Sequence, residues 1–294
     1  MQPIVIVSYS SLEQVFINVL LNECKLFAKR IVVTYGTRMY TGADEDIESI
    51  RQLDQRHACE DNLVRFVSYP VRLDELDDPV RLHNMSRAVG VAAAQLDEEE
   101  KGDWLLFLDA DEVPEASVVR EFLASRDFTT SRDCAFKLAN FWYFMLPTLR
   151  AKQIEDSIVL VHSSWVTGDD TQALWHPRER DGILLFNMQR HPYRHVQRQV
   201  YSTDLHKAPN PRPMFHHFSW VRSLPNLISK VRGWGHRNQR NWEHLLRETW
   251  ADLAQGRLPV NDFVHGYELE VVPPTFASIS NIEFGARVDM SHSL

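Results

Sequence analysis

Trp104-Leu105-Leu106-Phe107-Leu108-Asp109-Ala110-Asp111-Glu112-Val113-Pro114 is the stretch that decides how the chain is read. Its apolar half, bounded by Gly102-Asp103 before and Pro114 after, has the length and composition of a buried strand, and it ends in three carboxylates. Charge at the carboxyl end of a central strand lies where open α/β sheets bind ligands. Two acids spaced i, i+2 at that rim, Asp109 and Asp111, can share one hard divalent cation.

Working towards the N-terminus, strand and helix patterns alternate. Ile4 to Val7 is a first strand, and the hydroxyls of Ser8-Tyr9-Ser10-Ser11 can cap the helix that follows, where Leu12, Val15, Phe16, Val19, Leu20 and Phe27 recur at helical spacing. Arg30 to Thr34 and Val64 to Tyr69 supply two more strands, separated by an exposed helix over Asp44 to Ala58. A helix from Val80 to Gln95 leads into the acidic strand. This βαβα rhythm predicts a mainly parallel, Rossmann-like sheet flanked by helices, because parallel neighbours need crossover connections. Neither a Gly-x-Gly-x-x-Gly turn after the first strand nor a P-loop is present, so classical dinucleotide and P-loop sites lose their main support.

Beyond the acids, a helix is expected over Ser117 to Ala124 and strands over Cys134 to Phe144, Ile158 to His162 and Ile183 to Phe186. A helical run from Leu224 to Gln255, broken near Gly233 and Gly235, precedes an irregular tail. From 176 to 240 twelve Lys or Arg face three acids, although the whole chain carries a formal charge of -8, which argues against a general nucleic-acid binder. With 294 residues and 44% hydrophobic content the chain can bury a full core. Cys24, Cys59 and Cys134 show neither metal spacing nor a disulfide framework, pointing to a reducing compartment. No apolar stretch reaches the length of a membrane span, so a cytoplasmic location is expected.

Apolar strand, Leu-Asp-Ala-Asp-Glu, Pro and helix together resemble the Asp-x-Asp motif of nucleotide-sugar-dependent glycosyltransferases of the GT-A fold. The later string His216-His217-Phe218-Ser219-Trp220-Val221-Arg222 is similar to a C-terminal signature in glycosyltransferases of bacteria and large DNA viruses. The resemblance implies an α/β GT-A domain over 1–223, with a nucleotide-binding half (1–115) and an acceptor half (116–223), and a C-terminal helical extension (224–294) packed on it. It also implies manganese or magnesium (Mn2+ or Mg2+) held by Asp109, Asp111 and His217, and a UDP- or GDP-sugar donor contacted by Ser8, Tyr9, Asn84, Arg87, Asp109 and Arg222. His83, Asn84 and Arg87 share one helix face, and Tyr9 is placed to stack on the base. His216 and His217 point to opposite faces of an extended segment, so one of them serves. The acceptor that the resemblance implies is a glycan or another hydroxyl compound. Inversion at the sugar carbon needs a carboxylate base, for which Asp156 of the Glu155-Asp156 pair is preferred over Asp169-Asp170. One departure from the family stands out: the acid that often follows the second strand is replaced by Thr34-Tyr35-Gly36-Thr37, which leaves the nucleotide open.

Two other readings remain. Asp109-Ala110-Asp111-Glu112-Val113 also satisfies the pattern of haloacid-dehalogenase-type phosphatases, with Gly168-Asp169-Asp170 resembling their later acids, but that class places its nucleophile on the first strand and here three strands come earlier. The third is a non-catalytic carbohydrate-binding protein on a transferase scaffold.

Overall fold

The computed structural model describes residues 2–60, 62–77, 79–94, 104–125, 135–163, 193–195, 213–234 and 236–280. The strands are β1 (Ile4–Tyr9), β2 (Arg30–Gly36), β3 (Val64–Tyr69), β4 (Trp104–Asp109), β5 (Glu112–Pro114), β6 (Ala135–Phe144), β7 (Leu149–His162), β8 (Tyr193–His195), β9 (Phe215–Trp220) and β10 (Leu269–Val271). The helices are α1 (Gln14–Lys25), α2 (Ile47–Glu60), α3 (Pro79–Ala94), α4 (Ala116–Leu123), α5 (Leu224–Gly233), α6 (Trp242–Ala254) and α7 (Ala277–Ser280). The chain is an α/β protein.

Its sheet runs in the order β3-β2-β1-β4-β7-β6-β9-β5, with β8 beside β6 and β10 beside β7. β3, β2, β1 and β4 are mutually parallel, as the alternation of strands and helices predicts. β7 then enters antiparallel to β4 and forms a hairpin with β6, and β9 returns parallel to β6. β1 and β4 are buried along nearly their whole length, which explains why both read as unbroken apolar runs. Helix α1 turns Phe16, Ile17, Leu20, Leu21 and Cys24 into the core, and Phe16 stacks on Phe218 at 5.6 Å between ring centres.

Several elements differ from the sequence reading. β7 begins at Leu149 rather than Ile158, because Lys152, Gln153, Glu155 and Asp156 interrupt the apolar pattern that would have marked the strand's first half. The C-terminal segment is not purely helical: β10 pairs with the start of β7, and the tail ends its described part in α7. The helical run from Leu224, by contrast, breaks at Gly233 as expected and resumes at Trp242. The expected strand at 183–186 and the Asp169-Asp170 pair lie outside the described residues, as does most of the basic stretch before 213. A second apolar cluster joins α5 and α6 to Trp142, Phe144, Leu149 and Trp220 at the far ends of β6, β7 and β9.

How closely α3 lies on the sheet depends on Gly90. A Cβ at that position would sit 2.3 Å from Cγ2 of Ile6 on β1 and 3.3 Å from Cγ2 of Thr34 on β2. Ile6 is a buried, β-branched residue in a central strand and has nowhere to retreat. Gly90→Ala gains about 1 kcal/mol of helix propensity, and against it stands a clash that costs about 1–3 kcal/mol, at the upper end here because a 2.3 Å approach to a β-branched core residue has no easy relief. We expect a lower melting temperature for this variant; a rise would show that α3 has slack against β1.

Candidate active site

The acidic turn between β4 and β5 is stapled on both sides. Ser8 and Asp109 are register partners at the ends of β1 and β4, and the Ala110 amide donates to the Ser8 carbonyl at 3.0 Å. On the other side β5 pairs antiparallel with β9, setting Glu112 opposite His217, while the Phe218 amide donates to the Asp111 carbonyl at 2.8 Å. Above this rim opens a cavity of about 630 Å³ whose walls include Ser8, Tyr9, Glu13, Asn84, Asp109, Asp111, His217, Arg222, Lys230 and Trp234.

Asp109 meets the first turns of α3. His83 Nε2 lies 2.9 Å and Arg87 Nη2 3.3 Å from its Oδ1. Burial alone would raise its pKa, but His83 first and then Arg87 outweigh it and hold the carboxyl well below the usual range. Asp111 is buried and forms a direct ion pair with Arg222 through Oδ2; Lys230 Nζ stands 3.5 Å from the same oxygen, and His217 Nε2 3.6 Å from Oδ1. These cations more than offset burial and keep Asp111 ionised. Arg222 is itself fixed by the carbonyls of Leu12 (3.1 Å) and Ser219 (3.2 Å) and by Glu13 (3.2 Å).

The neighbouring acids shift the other way. Glu112 turns back to accept from the Asp109 amide at 2.8 Å and from Ser157 at 3.3 Å, and burial, reinforced by the charge of Asp109, raises it to about 8. Burial likewise raises Glu13 to about 7, against the pull of Arg222. Burial would lower His217, but Glu155, 3.9 Å from its Nδ1, together with Asp111 raises it. Lys230 is lowered by burial and by Arg222, and its Nζ donates to Ser219 Oγ at 2.7 Å.

Of the residues singled out from sequence, Ser8, Tyr9, Asn84, Asp109, Asp111, His217 and Arg222 line this one cavity. Arg87 is buried behind Asp109 rather than in the lining. Asp156 lies on β7, but its side chain is outside the described ones. Its neighbour Glu155 reaches both His217 and His265, the latter at 3.4 Å. The two histidines do divide between faces: His216 contacts the Tyr143 hydroxyl at 2.8 Å and stacks among aromatic rings, away from the cavity. Arg222 points at Asp111 rather than standing free in the cavity.

Sequence reasoning missed Lys230, Glu13 and the contact of Glu155 with His217. Lys230 was legible in part, since it lies between the buried Ile228 and Val231 at the border of the apolar face of α5. Glu13 was not, because its role depends on Arg222, 209 residues away. Among the described residues no group of three or more His, Cys, Asp or Glu is arranged to hold a metal ion. Of the expected set, Asp111 Oδ1 and His217 Nε2 stand 3.6 Å apart in the cavity wall.

No family model and no curated protein matches the sequence. Among solved structures, the apo-form glycosyltransferase GlyE of Streptococcus pneumoniae TIGR4 is similar at a TM-score of 0.40 and 9% identity, over 86% of this chain and 64% of that one. A second structure of GlyE from the same organism gives a TM-score of 0.36 and 7% identity with the same coverage. The chain therefore spans less than two thirds of the length of these structures, and at such values the likeness carries nothing about the residues of the site.

The raised pKa of Glu112 has a measurable sign. Between its ordinary value of 4.5 and about 8 the folded chain holds a proton that the unfolded chain has released, so this group lowers stability progressively as pH rises through that window. Glu112→Gln removes the dependence while keeping an acceptor for the Asp109 amide. The melting temperature of the variant relative to the parent should therefore climb from about pH 5 to about pH 8.5. A difference that stays flat would mean that Glu112 is already ionised at neutral pH.

Proposed function

We propose that the chain is a glycosyltransferase of the GT-A type that takes a sugar from a nucleoside diphosphate, UDP or GDP, and passes it to a hydroxyl of a glycan or similar acceptor, with inversion at the sugar carbon. The observation that carries this reading is the meeting, in one cavity at the carboxyl ends of β1 and β4, of two ionised acids with Arg222, Lys230 and His217. That is the chemistry needed to seat a diphosphate: acids for a divalent cation, and basic donors for phosphate oxygens.

A manganese or magnesium ion at this site would take most of its coordination from substrate phosphates and water, since among the described residues no group of three or more protein ligands is arranged for it. Asp111 Oδ1 and His217 Nε2 lie 3.6 Å apart, a carboxylate beside an imidazole, with Asp109 next along the turn. Bound there, the cation would supply charge neutralisation for the departing diphosphate. The chain's own groups do the rest. Arg222 and Lys230 offer donors to phosphate oxygens, and the Asn84 amide nitrogen, buried in a polar wall with no hydrogen-bond partner among the described residues, offers one to a ribose or phosphate oxygen. Asp109, held ionised by His83 and Arg87, accepts from a ribose hydroxyl. Ser8 and Tyr9 form the floor on the nucleoside side. On the β7 side, the Glu155-Asp156 pair supplies the base that removes the acceptor proton, and Glu155 is the better candidate because its carboxylate stands against His217 and His265.

A thermal-shift screen of UDP, GDP, CDP and TDP, each with and without manganese, tests the donor class, and nucleotide-sugar hydrolysis tests the chemistry. Asp111→Asn should lower turnover by roughly 100-fold or more and remove the manganese-dependent part of nucleotide binding. Unchanged hydrolysis in this variant, or release of phosphate from an aryl phosphate in place of sugar transfer, would sink the assignment.

A further inference from the structure

Lys230 and Arg222 both address the same oxygen of Asp111. Arg222 is already engaged by Glu13, the Leu12 carbonyl and the Ser219 carbonyl, and it is almost wholly buried. Lys230 is different. It is one-fifth exposed, it lines the cavity, and its ammonium is steadied by Ser219 Oγ while facing Asp111. A carboxylate seated on two cations in the wall of an anion pocket has the chemistry of the anion that the pocket is built to receive.

Taking the cavity as a nucleoside-diphosphate site, as proposed above, the geometry points to a charge exchange in which Asp111 occupies, in the free protein, the Lys230 and Arg222 donors that a diphosphate takes on binding. A divalent cation needs the oxygens of Asp111, and the diphosphate needs the two basic groups. Each ligand therefore releases what the other requires, and the two bind with positive coupling. Lys230, contributed by α5, is then a diphosphate-binding residue with a second effect: while no nucleotide is present it competes with the cation for Asp111. Lys230 is the residue to substitute, since removing Arg222 would also strand Glu13 and two carbonyls.

Isothermal titration calorimetry on the full chain tests this with manganese chloride alone, with UDP and GDP alone, and with each nucleotide at saturating manganese. In the parent protein manganese should tighten nucleotide binding by about tenfold or more, and the nucleotide should tighten manganese binding by the same factor. Lys230→Met should move the two single-ligand affinities in opposite directions, with manganese alone binding more tightly and nucleotide alone more weakly, and should shrink the coupling. Lys230→Arg should keep it. Weaker or unchanged manganese binding in folded Lys230→Met overturns the exchange, as does nucleotide binding by the parent that is indifferent to manganese. These results leave the nucleotide site standing. A parent protein that binds none of the nucleotides under any condition removes the transferase reading, and this proposal with it.

Discussion

The contact on which the rest of the molecule leans is the buried pair of Asp111 and Arg222. Arg222 sits just past the end of β9, Asp111 in the turn after β4, and the other donors of the same guanidinium reach Leu12 and Glu13 in the turn after β1. Three segments far apart in sequence thus converge on one planar cation whose geometry suits several acceptors at once. Taking either charge away would leave its partner buried and unpaired, which costs about 3–5 kcal/mol. Nature has little freedom here, for the rim of the sheet and the wall of the cavity are the same atoms.

Around that pair the acids divide into two kinds. Asp109 and Asp111 meet cations and stay ionised, whereas Glu112 and Glu13 meet burial and other carboxylates and are pushed upward. At neutral pH Glu112 therefore keeps its proton, while Arg222, Lys230 and His217, the last raised by its acidic neighbours, stand against Asp109 and Asp111. Basic and acidic groups thus meet in one cavity of a chain that is acidic overall. The whole-chain charge is a poor guide to what this pocket attracts.

The parallel half of the sheet was legible because burial on both faces forces β1, β2 and β4 into unbroken apolar runs with acids or hydroxyls only at their ends. The division of labour between His216 and His217 was legible too, from strand alternation alone. What failed was whatever depends on polar residues inside strands or on distant partners. Lys152 to Asp156 concealed the first half of β7 because polar residues break the apolar pattern there: Lys152 pairs with Glu268 at the surface and Glu155 reaches His217 at the site. The three residues of β10 are too short for periodicity to register, and they become a strand only because β7 is there to pair with. The pairing of Glu13 with Arg222 leaves no local trace at all.

The C-terminal segment is better understood as a wall than as an appendage. Helix α5 begins at Leu224 with Pro225 in its first turn, buries Leu227, Ile228 and Val231 against Trp220 and its aromatic neighbours, and so turns Lys230 towards the cavity. It ends at Gly233, where a Cβ would lie 3.0 Å from Cγ2 and 3.2 Å from the backbone nitrogen of Thr41, in the loop after β2. The closest of these atoms is the Thr41 methyl, with the backbone of Thr41 and Tyr40 directly behind it. This contact brings the end of α5 against the loop that lines the opposite wall with Met39, Tyr40 and Thr41. The width of the cavity is therefore set jointly by a helix that follows β9 and a loop that precedes β3, and packing in the second apolar cluster is felt directly at the site. Such a site would be expected to lose its shape before the parallel sheet loses its order, since β1 to β4 rest on a separate core.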